Sequence, residues 1–232
     1  QLGATPSHID FAPDKHGHKH FGEWAAGQAE FLKTVREKLV SKNPDLAIWV
    51  ECPTAAVMTQ ANFSMYGANR IFRYVFPTYA NFVGTYENPD AKISLSFARE
   101  ALLTGQPLLV GDAKLQHLTN AERVPIRDII MLKRRIDPLL YNAKFRDNIG
   151  INVQDGMLAS SFAGKDTIMV PFTDASQVAS PALVINPSLL GVKIKGRAEV
   201  ISITDINKRS SIPVSIRNGG KFIINLSGYD TG

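Results

Sequence analysis

Residues 42–53 read KNPDLAIWVECP. The segment Asn43-Pro44-Asp45 ends the preceding element, because proline cannot continue a helix. The apolar run Leu46 to Val50 follows at once, and such a run is typical of a strand buried on both faces of a parallel sheet. Upstream, between Gly22 and Lys42, apolar residues recur at the spacing of one helical face, at Trp24, Phe31, Leu32, Val35 and Leu39. The sequence therefore predicts a helix, a tight turn and a buried strand, which together form an α/β unit.

The same pattern recurs further along the chain. Short apolar runs predict strands at Tyr74–Phe76 and Pro107–Val110, and helical spacing predicts helices at Ala91–Thr104 and Pro125–Tyr141. The start of the last helix has two interpretations. Proline suits the first turn of a helix, whereas Thr119 with Glu122 matches a capping box that would begin the helix earlier. We favour the start at the proline.

After about Ile149 the pattern changes to short β-rich runs. They cover residues 167–172, 182–185, 198–203, 214–217 and 221–226. The last two runs alternate apolar and polar residues, and Asn218-Gly219-Gly220 between them is a strong hairpin signal. The sequence thus predicts an antiparallel β-sandwich for residues 149–232, following an α/β domain at residues 1–148.

The α/β part contains too few strands for a complete barrel. Its buried parallel strands number at most about four, and a (β/α) barrel needs eight. Either another segment supplies the missing strands, or the first part is a small open sheet. We expect fewer than eight barrel strands and an exposed apolar edge unless another polypeptide covers it. The chain opens at Gln1 rather than at Met, which we interpret as processing or truncation.

Composition and motifs exclude several classes of function. The net charge of +5 comes from basic residues spread along the chain, without the run that a nucleic-acid-binding tail would show. No stretch approaches the ~18 apolar residues of a membrane span. The single cysteine, Cys52, excludes a disulfide within the chain. Glycine-rich nucleotide motifs and the Gly-x-Ser-x-Gly motif are absent from the sequence. We expect no cofactor, no nucleic acid partner and no membrane span.

Glu51 is the strongest candidate for a catalytic group. It follows the run Leu46 to Val50, and barrel enzymes place catalytic residues at the carboxyl ends of their strands. An unpaired carboxylate at the end of an apolar strand is costly to bury, so packing alone does not explain it. The alternative is a glutamate that pairs with an arginine or caps the next turn.

Four of the five histidines lie between His8 and His20, in a predicted loop before the first helix. His16 and His18 could bind a metal, contact a polar substrate or be merely exposed. We favour substrate contacts, because neither a His-Glu-x-x-His helix nor a Cys-x-x-Cys pair completes a zinc site.

Two further polar residues lie beside predicted strands. Asp112 follows one strand and Arg73 precedes another, so both are candidate sugar ligands; a turn or cap residue and a salt bridge are the respective alternatives. Aromatic rings at Trp49, Tyr66, Tyr79 and Tyr86 could stack on sugar rings, although core packing is the commoner role.

Three motifs carry a resemblance to a known family. They are Gln1-Leu2-Gly3-Ala4 with His16-Gly17-His18, the strand that ends in Glu51-Cys52-Pro53, and Arg70 to Pro77. They resemble a little-characterised family of glycoside-hydrolase-like (β/α) barrel proteins, and more distantly the endo-α-N-acetylgalactosaminidases and the α-galactosidase clan. The resemblance implies the C-terminal half of a (β/α)8 barrel followed by the β-sandwich. It also implies that Glu51 is the acid/base and that the aspartate nucleophile falls just before Gln1.

This resemblance implies a retaining glycoside hydrolase, present as a fragment or subunit. Its partners would be carbohydrate and the missing N-terminal half of the barrel. Such an enzyme needs two carboxyl groups ~5 to 5.5 Å apart. Glu51 can donate a proton only if its apolar surroundings raise its pKa toward neutrality. The alternatives are a non-catalytic carbohydrate-binding or structural protein that retains a partial barrel, and a metal-dependent hydrolase that uses the histidine loop.

Overall fold

A computed structural model of the chain describes most of its secondary structure. The described residues are 23–50, 55–64, 70–75, 80–81, 83–84, 95–109, 118–173, 179, 181–194, 196–202, 205–217 and 219–227. Its contacts divide the chain into two compact units, Gln1–Val83 and Gly84–Gly232. The division at residue 148 that the sequence suggests stays a prediction about domains.

The first unit alternates helices with very short strands. In chain order its elements are α1 (Glu23–Val40), β1 (Trp49–Val50), α2 (Ala55–Met58), β2 (Phe63–Ser64), α3 (Arg70–Val75) and β3 (Ala80–Asn81), and β4 (Val83–Gly84) lies at the boundary of the two units. The strands β1, β2 and β3 form a three-stranded parallel sheet in chain order. No closed barrel forms within the parts of the chain that the structure describes.

The structure of this unit confirms one of our predictions and corrects two others. The predicted first helix is confirmed as α1, and its Leu32 joins Ile48, Val57 and Met58 in one buried cluster. The predicted strand at Tyr74–Phe76 is wrong, because Arg70 to Val75 is helical. The prediction that the run to Val50 is buried on both faces is also wrong: Ile48 is buried, but Trp49 is 60% exposed.

The second unit begins with a helical pair and continues as β-structure. Its helices are α4 (Leu95–Thr104), α5 (Asn120–Tyr141) and α6 (Pro187–Leu190). Its strands are β5 (Leu108–Leu109), β6 (Lys144–Asp147), β7 (Ile151–Val153), β8 (Leu158–Ala159), β9 (Ser161–Ala163), β10 (Ile168–Met169), β11 (Phe172–Thr173), β12 (Ala182–Ile185), β13 (Ala198–Ser202), β14 (Asp205–Ile212), β15 (Val214–Arg217) and β16 (Lys221–Asn225). The β-rich part thus starts at Lys144, close to the predicted position.

The start of α5 follows the capping box and not the proline. The Thr119 hydroxyl accepts a hydrogen bond from the Glu122 N–H, and the Glu122 carboxylate accepts one from the Thr119 N–H at 2.9 Å. Two N–H groups that the helix start would leave without partners are thereby satisfied. Pro125 lies in the second turn of the helix, so our proline start is wrong.

The paired strands of the β-rich part are antiparallel, as predicted. The largest sheet has the order β15-β16-β12-β7, and smaller sheets pair β10-β9-β6, β11-β8 and β13-β14. The predicted hairpin is confirmed, since Val214–Arg217 pairs with Lys221–Asn225. Gly219 and Gly220 have φ of 84° and 71°, the left-handed conformation that glycine adopts at least cost. The predicted run at 167–172 is two strands, β10 and β11, which pair with different partners.

Two buried clusters lie among the described sheets, and the sandwich itself stays a prediction. One buried cluster unites residues of the largest sheet with residues from β14 and from the segment around α6; it contains Met157, Leu183, Ile185, Leu190, Val192, Ile212, Phe222, Ile224 and Leu226. A second cluster joins α5 to β6 and β9, where the fully buried rings of Phe145 and Phe162 meet edge to face at 5.2 Å. The unit therefore combines a helical pair with layered antiparallel sheets.

Candidate functional site

The carboxyl edge of the parallel sheet is the part of the first unit that the sequence singles out. The three strands pair in register, with Trp49 beside Phe63 and Phe63 beside Ala80. Parallel strands in register end at the same edge, and this edge is where α/β proteins place their ligands. Glu51 directly follows the last residue of β1 in the sequence and itself lies outside the described residues.

A polar network fixes the opposite, amino edge of this sheet. The side-chain oxygen of Asn62 accepts hydrogen bonds from the Ile48 N–H at 3.0 Å and from the Arg36 guanidinium at 3.3 Å. The same Arg36 nitrogen donates to the Gln60 carbonyl at 3.1 Å. Because Ile48 and Asn62 immediately precede β1 and β2, the network aligns the starts of both strands. We did not predict this network from the sequence, because neither Arg36 nor Asn62 belongs to a recognisable motif.

Trp49 is the aromatic candidate whose surroundings the structure describes. Its 60% exposure excludes the core-packing role that is commoner for such residues. It is the first residue of β1, two positions before Glu51 in the sequence. Trp49 can therefore offer an exposed apolar surface next to the carboxyl edge. Tyr66, Tyr79 and Tyr86 lie outside the described residues.

The structure describes one of the five residues predicted to form the site. Arg73 lies on α3, not beside a strand, and its side chain is 4% exposed. Its role as a sugar ligand stays a prediction. The residue that would play this role is helical and buried. The other four predicted site residues lie outside the described residues; they are Glu51, His16, His18 and Asp112. Of the five, the described residues include Arg73 alone.

The described residues offer neither a metal site nor a membrane-spanning helix. Among them, no group of three or more histidine, cysteine or acidic side chains is placed to hold a metal ion. All five histidines lie outside this part of the chain. Within the same described parts, every helix is too short or too polar to cross a membrane.

The second unit contains a large cavity between helix α5 and the β-sheets. Its volume is about 660 Å³. On the helix side it is lined by Ile129, Leu132, Ile136 and Leu140, which recur along one face of α5. On the sheet side it is lined by Leu183, Ile185, Phe222 and Ile224. No residue that we predicted as a site residue contributes to this lining.

Comparison with known proteins gives matches among solved structures alone. No family model matches the chain, and no curated protein sequence matches it. Thermotoga maritima α-fucosidase in complex with a mechanism-based inhibitor is similar at a TM-score of 0.45 and 15% identity, over 85% of this chain and 44% of that chain. The same enzyme in complex with fucose gives 0.46 and 15%, over 86% and 45%.

A third solved structure is a noncanonic maltogenic α-amylase from Thermotoga neapolitana. Its TM-score is 0.48 at 12% identity, and the match covers 85% of this chain and 56% of that chain. The chain thus spans about half the length of each of these two enzymes.

Proposed function

We propose that this chain is part of a retaining glycoside hydrolase in which Glu51 is the acid/base. One observation carries the proposal: Glu51 directly follows the carboxyl end of β1, a strand of a parallel sheet whose members are linked by helices α2 and α3. Carboxyl ends of parallel strands are where β/α enzymes present catalytic side chains. The network of Arg36 and Asn62 lies at the other edge, where it supports the fold.

Trp49 gives the proposed acid suitable surroundings. If the extended backbone continues for one residue beyond Val50, Glu51 lies on the same face as the exposed indole of Trp49. An apolar ring next to a carboxyl group disfavours the charged form and raises the pKa of that group. A raised pKa is what a general acid needs in order to remain protonated near neutral pH. The ring would also provide a flat surface for a sugar.

The remaining parts of the site belong to the proposal as well. The nucleophile would be an aspartate outside this chain, on the missing N-terminal half of a (β/α)8 barrel, and ~5 to 5.5 Å from Glu51. His16, His18, Arg73 and Asp112 would bind sugar hydroxyls. The relation to endo-α-N-acetylgalactosaminidases and to the α-galactosidase clan is part of the same proposal.

The proposal is tested with the complete polypeptide that contains this chain. We expect it to hydrolyse at least one aryl glycoside of a panel, with retention of anomeric configuration when the products are followed by NMR. Glu51→Gln should lower the rate roughly a hundredfold to ten-thousandfold, the usual contribution of a general acid. The matched control is Glu30→Gln, which removes an exposed carboxylate from α1 and should leave the rate unchanged.

Two outcomes would contradict this proposal. Inversion of configuration would exclude the retaining mechanism. Absence of hydrolysis by the folded polypeptide, together with saturable binding to a glycan array, would instead favour the non-catalytic carbohydrate-binding alternative.

A further inference from the structure

We propose that the cavity of the second unit binds a long, unbranched acyl chain whose carboxylate is held by basic side chains at the cavity mouth. The inference does not depend on the proposed glycosidase function. Every lining residue belongs to the second unit. Three properties carry the proposal, namely the size of the cavity, its aliphatic walls and the charges at its mouth.

The size of the cavity exceeds what imperfect packing leaves behind. Protein interiors rarely contain voids larger than a water molecule, whereas this cavity measures about 660 Å³. The volume lies within the ~300 to 1,000 Å³ that is typical of sites for small organic ligands. The cavity is partly open to solvent, so a ligand can enter it from outside. Its size therefore suits a small organic ligand.

The walls match an apolar chain and not a sugar. Ile129, Leu132, Ile136 and Leu140 form a row along α5, because they are three or four residues apart. Facing them are side chains of β12 and β16, whose backbone groups are engaged in the ladder between the two strands. Aliphatic walls of this kind favour burial of methylene groups, at about 0.8 kcal/mol per group in general. The two walls themselves offer no partners for the hydroxyl groups of a sugar; the polar residues of the lining belong to other elements and include Asp166, Thr167, Thr173, Glu199 and Ser202.

The mouth of the cavity carries an excess of basic side chains. Arg197, Arg209 and Lys193 all line the cavity and are exposed, so they lie where the lining meets solvent. The carboxylate of Glu199 lies 3.4 Å from Arg197 and 3.8 Å from Arg209, so one acid is shared by two guanidinium groups. The exposed Asp166 also lines the cavity, so three basic side chains stand against two acidic ones. Lys193 forms no ion pair with any other described residue. Arginine binds carboxylates through parallel hydrogen bonds, which makes an acyl carboxylate a complementary head group.

The experiment uses the full chain and the fluorescent fatty acid cis-parinaric acid. We expect saturable binding at one site per chain, displaced by palmitate and not by glucose. Arg209→Gln should weaken binding of the acid about tenfold to a hundredfold, the usual value of a hydrogen bond to a charged group, and leave binding of its methyl ester unchanged. Arg217→Gln is the matched control, because Arg217 is an exposed arginine of β15 outside the lining.

A second variant tests the walls without changing any charge. Ala198→Phe introduces a ring into the lining at a strand position, where aromatic residues are well tolerated. Binding of both the acid and its methyl ester should be lost, while circular dichroism and thermal unfolding show a folded chain.

Three results would overturn the proposal. The first is no saturable binding by the folded wild-type chain. The second is equal binding of acid and methyl ester that Arg209→Gln leaves unchanged. The third is release of the probe as the protein concentration rises, since a second copy of the chain would then be the occupant.

Discussion

The parallel sheet of the first unit and the largest antiparallel sheet of the second unit are held together in different ways. The strands β1, β2 and β3 are two residues long, and side chains of Arg36 and Asn62 supplement their backbone pairing. In the antiparallel sheet, β12 and β16 pair over four residues and bury Leu183, Ile185, Phe222 and Ile224 on one face. The antiparallel ladder combines backbone pairing with a continuous buried apolar face. The short parallel strands have little ladder of their own and need side-chain hydrogen bonds in addition.

Loss of the aromatic pair in the β-rich part should give the largest change in stability. Phe162→Ala removes a ring that is fully buried, meets Phe145 edge to face at 5.2 Å and packs on Gly105. We expect a loss of about 3 to 5 kcal/mol in the free energy of unfolding, measured by urea denaturation. Leu158→Ala, at a position that is 51% exposed, is the control and should cost far less. Similar losses in both variants would show that the aromatic cluster is not a core.

Among substitutions of polar residues in the first unit, loss of the network of Arg36 and Asn62 should lower the free energy of unfolding most. Asn62→Ala removes the acceptor of the Ile48 N–H and of Arg36, and should cost about 1 to 3 kcal/mol by the same measurement. Asn62→Asp keeps an acceptor oxygen and should recover much of the loss. If Asn62→Ala is no worse than Asn43→Ala, whose side chain accepts a bond in an exposed turn, the sheet does not depend on the network.

Replacing a glycine by alanine should lower stability at Gly220 in the second unit and raise it at Gly27 in the first. Gly220 has φ of 71° with no atom near an added Cβ, so Gly220→Ala should lower stability by about 1 to 2 kcal/mol through backbone strain alone. Gly27 lies inside α1, also in open space, and Gly27→Ala should raise stability by about 0.5 to 1 kcal/mol. The two shifts in thermal midpoint test this difference. A shift in the same direction would contradict the hairpin or the helix.

Elements with strong local signals could be predicted from the sequence. The hairpin between Val214 and Asn225 is an example, because alternation and paired glycines specify both strands and turn without reference to the rest of the chain. The helix α1 is another, because apolar residues recur at helical spacing between Trp24 and Leu39.

Elements that depend on context could not be predicted in this way. The strand β14 contains the polar run Asn207 to Ser211, so its pairing with β13 leaves little hydrophobic signal. The segment Arg70 to Val75 is rich in aromatic and β-branched residues and is nevertheless helical, since intrinsic preference is weaker than tertiary context. The helix α5 begins at its capping box and continues through Pro125, so the proline does not mark the start of the helix.

The strand that precedes Glu51 was predictable from the sequence, whereas its length and surroundings were not. The run to Val50 correctly predicted a strand just before Glu51 and its place in a parallel sheet. It did not predict that the strand has two residues or that Trp49 is exposed, because both depend on the neighbouring elements. The cavity of the second unit left no sequence signal, because its lining has the same apolar pattern as an ordinary core.

The role of Glu51 is tested most directly by the dependence of the rate on the leaving group. In the complete polypeptide, Glu51→Gln should be compared with wild type on an activated aryl glycoside and on a natural glycoside. A general acid matters most when the leaving group is poor, so the loss should be roughly a hundredfold to ten-thousandfold on the natural substrate and far smaller on the activated one. Equal, small losses on both substrates would contradict the proposal and show that Glu51 is a structural residue at the end of β1.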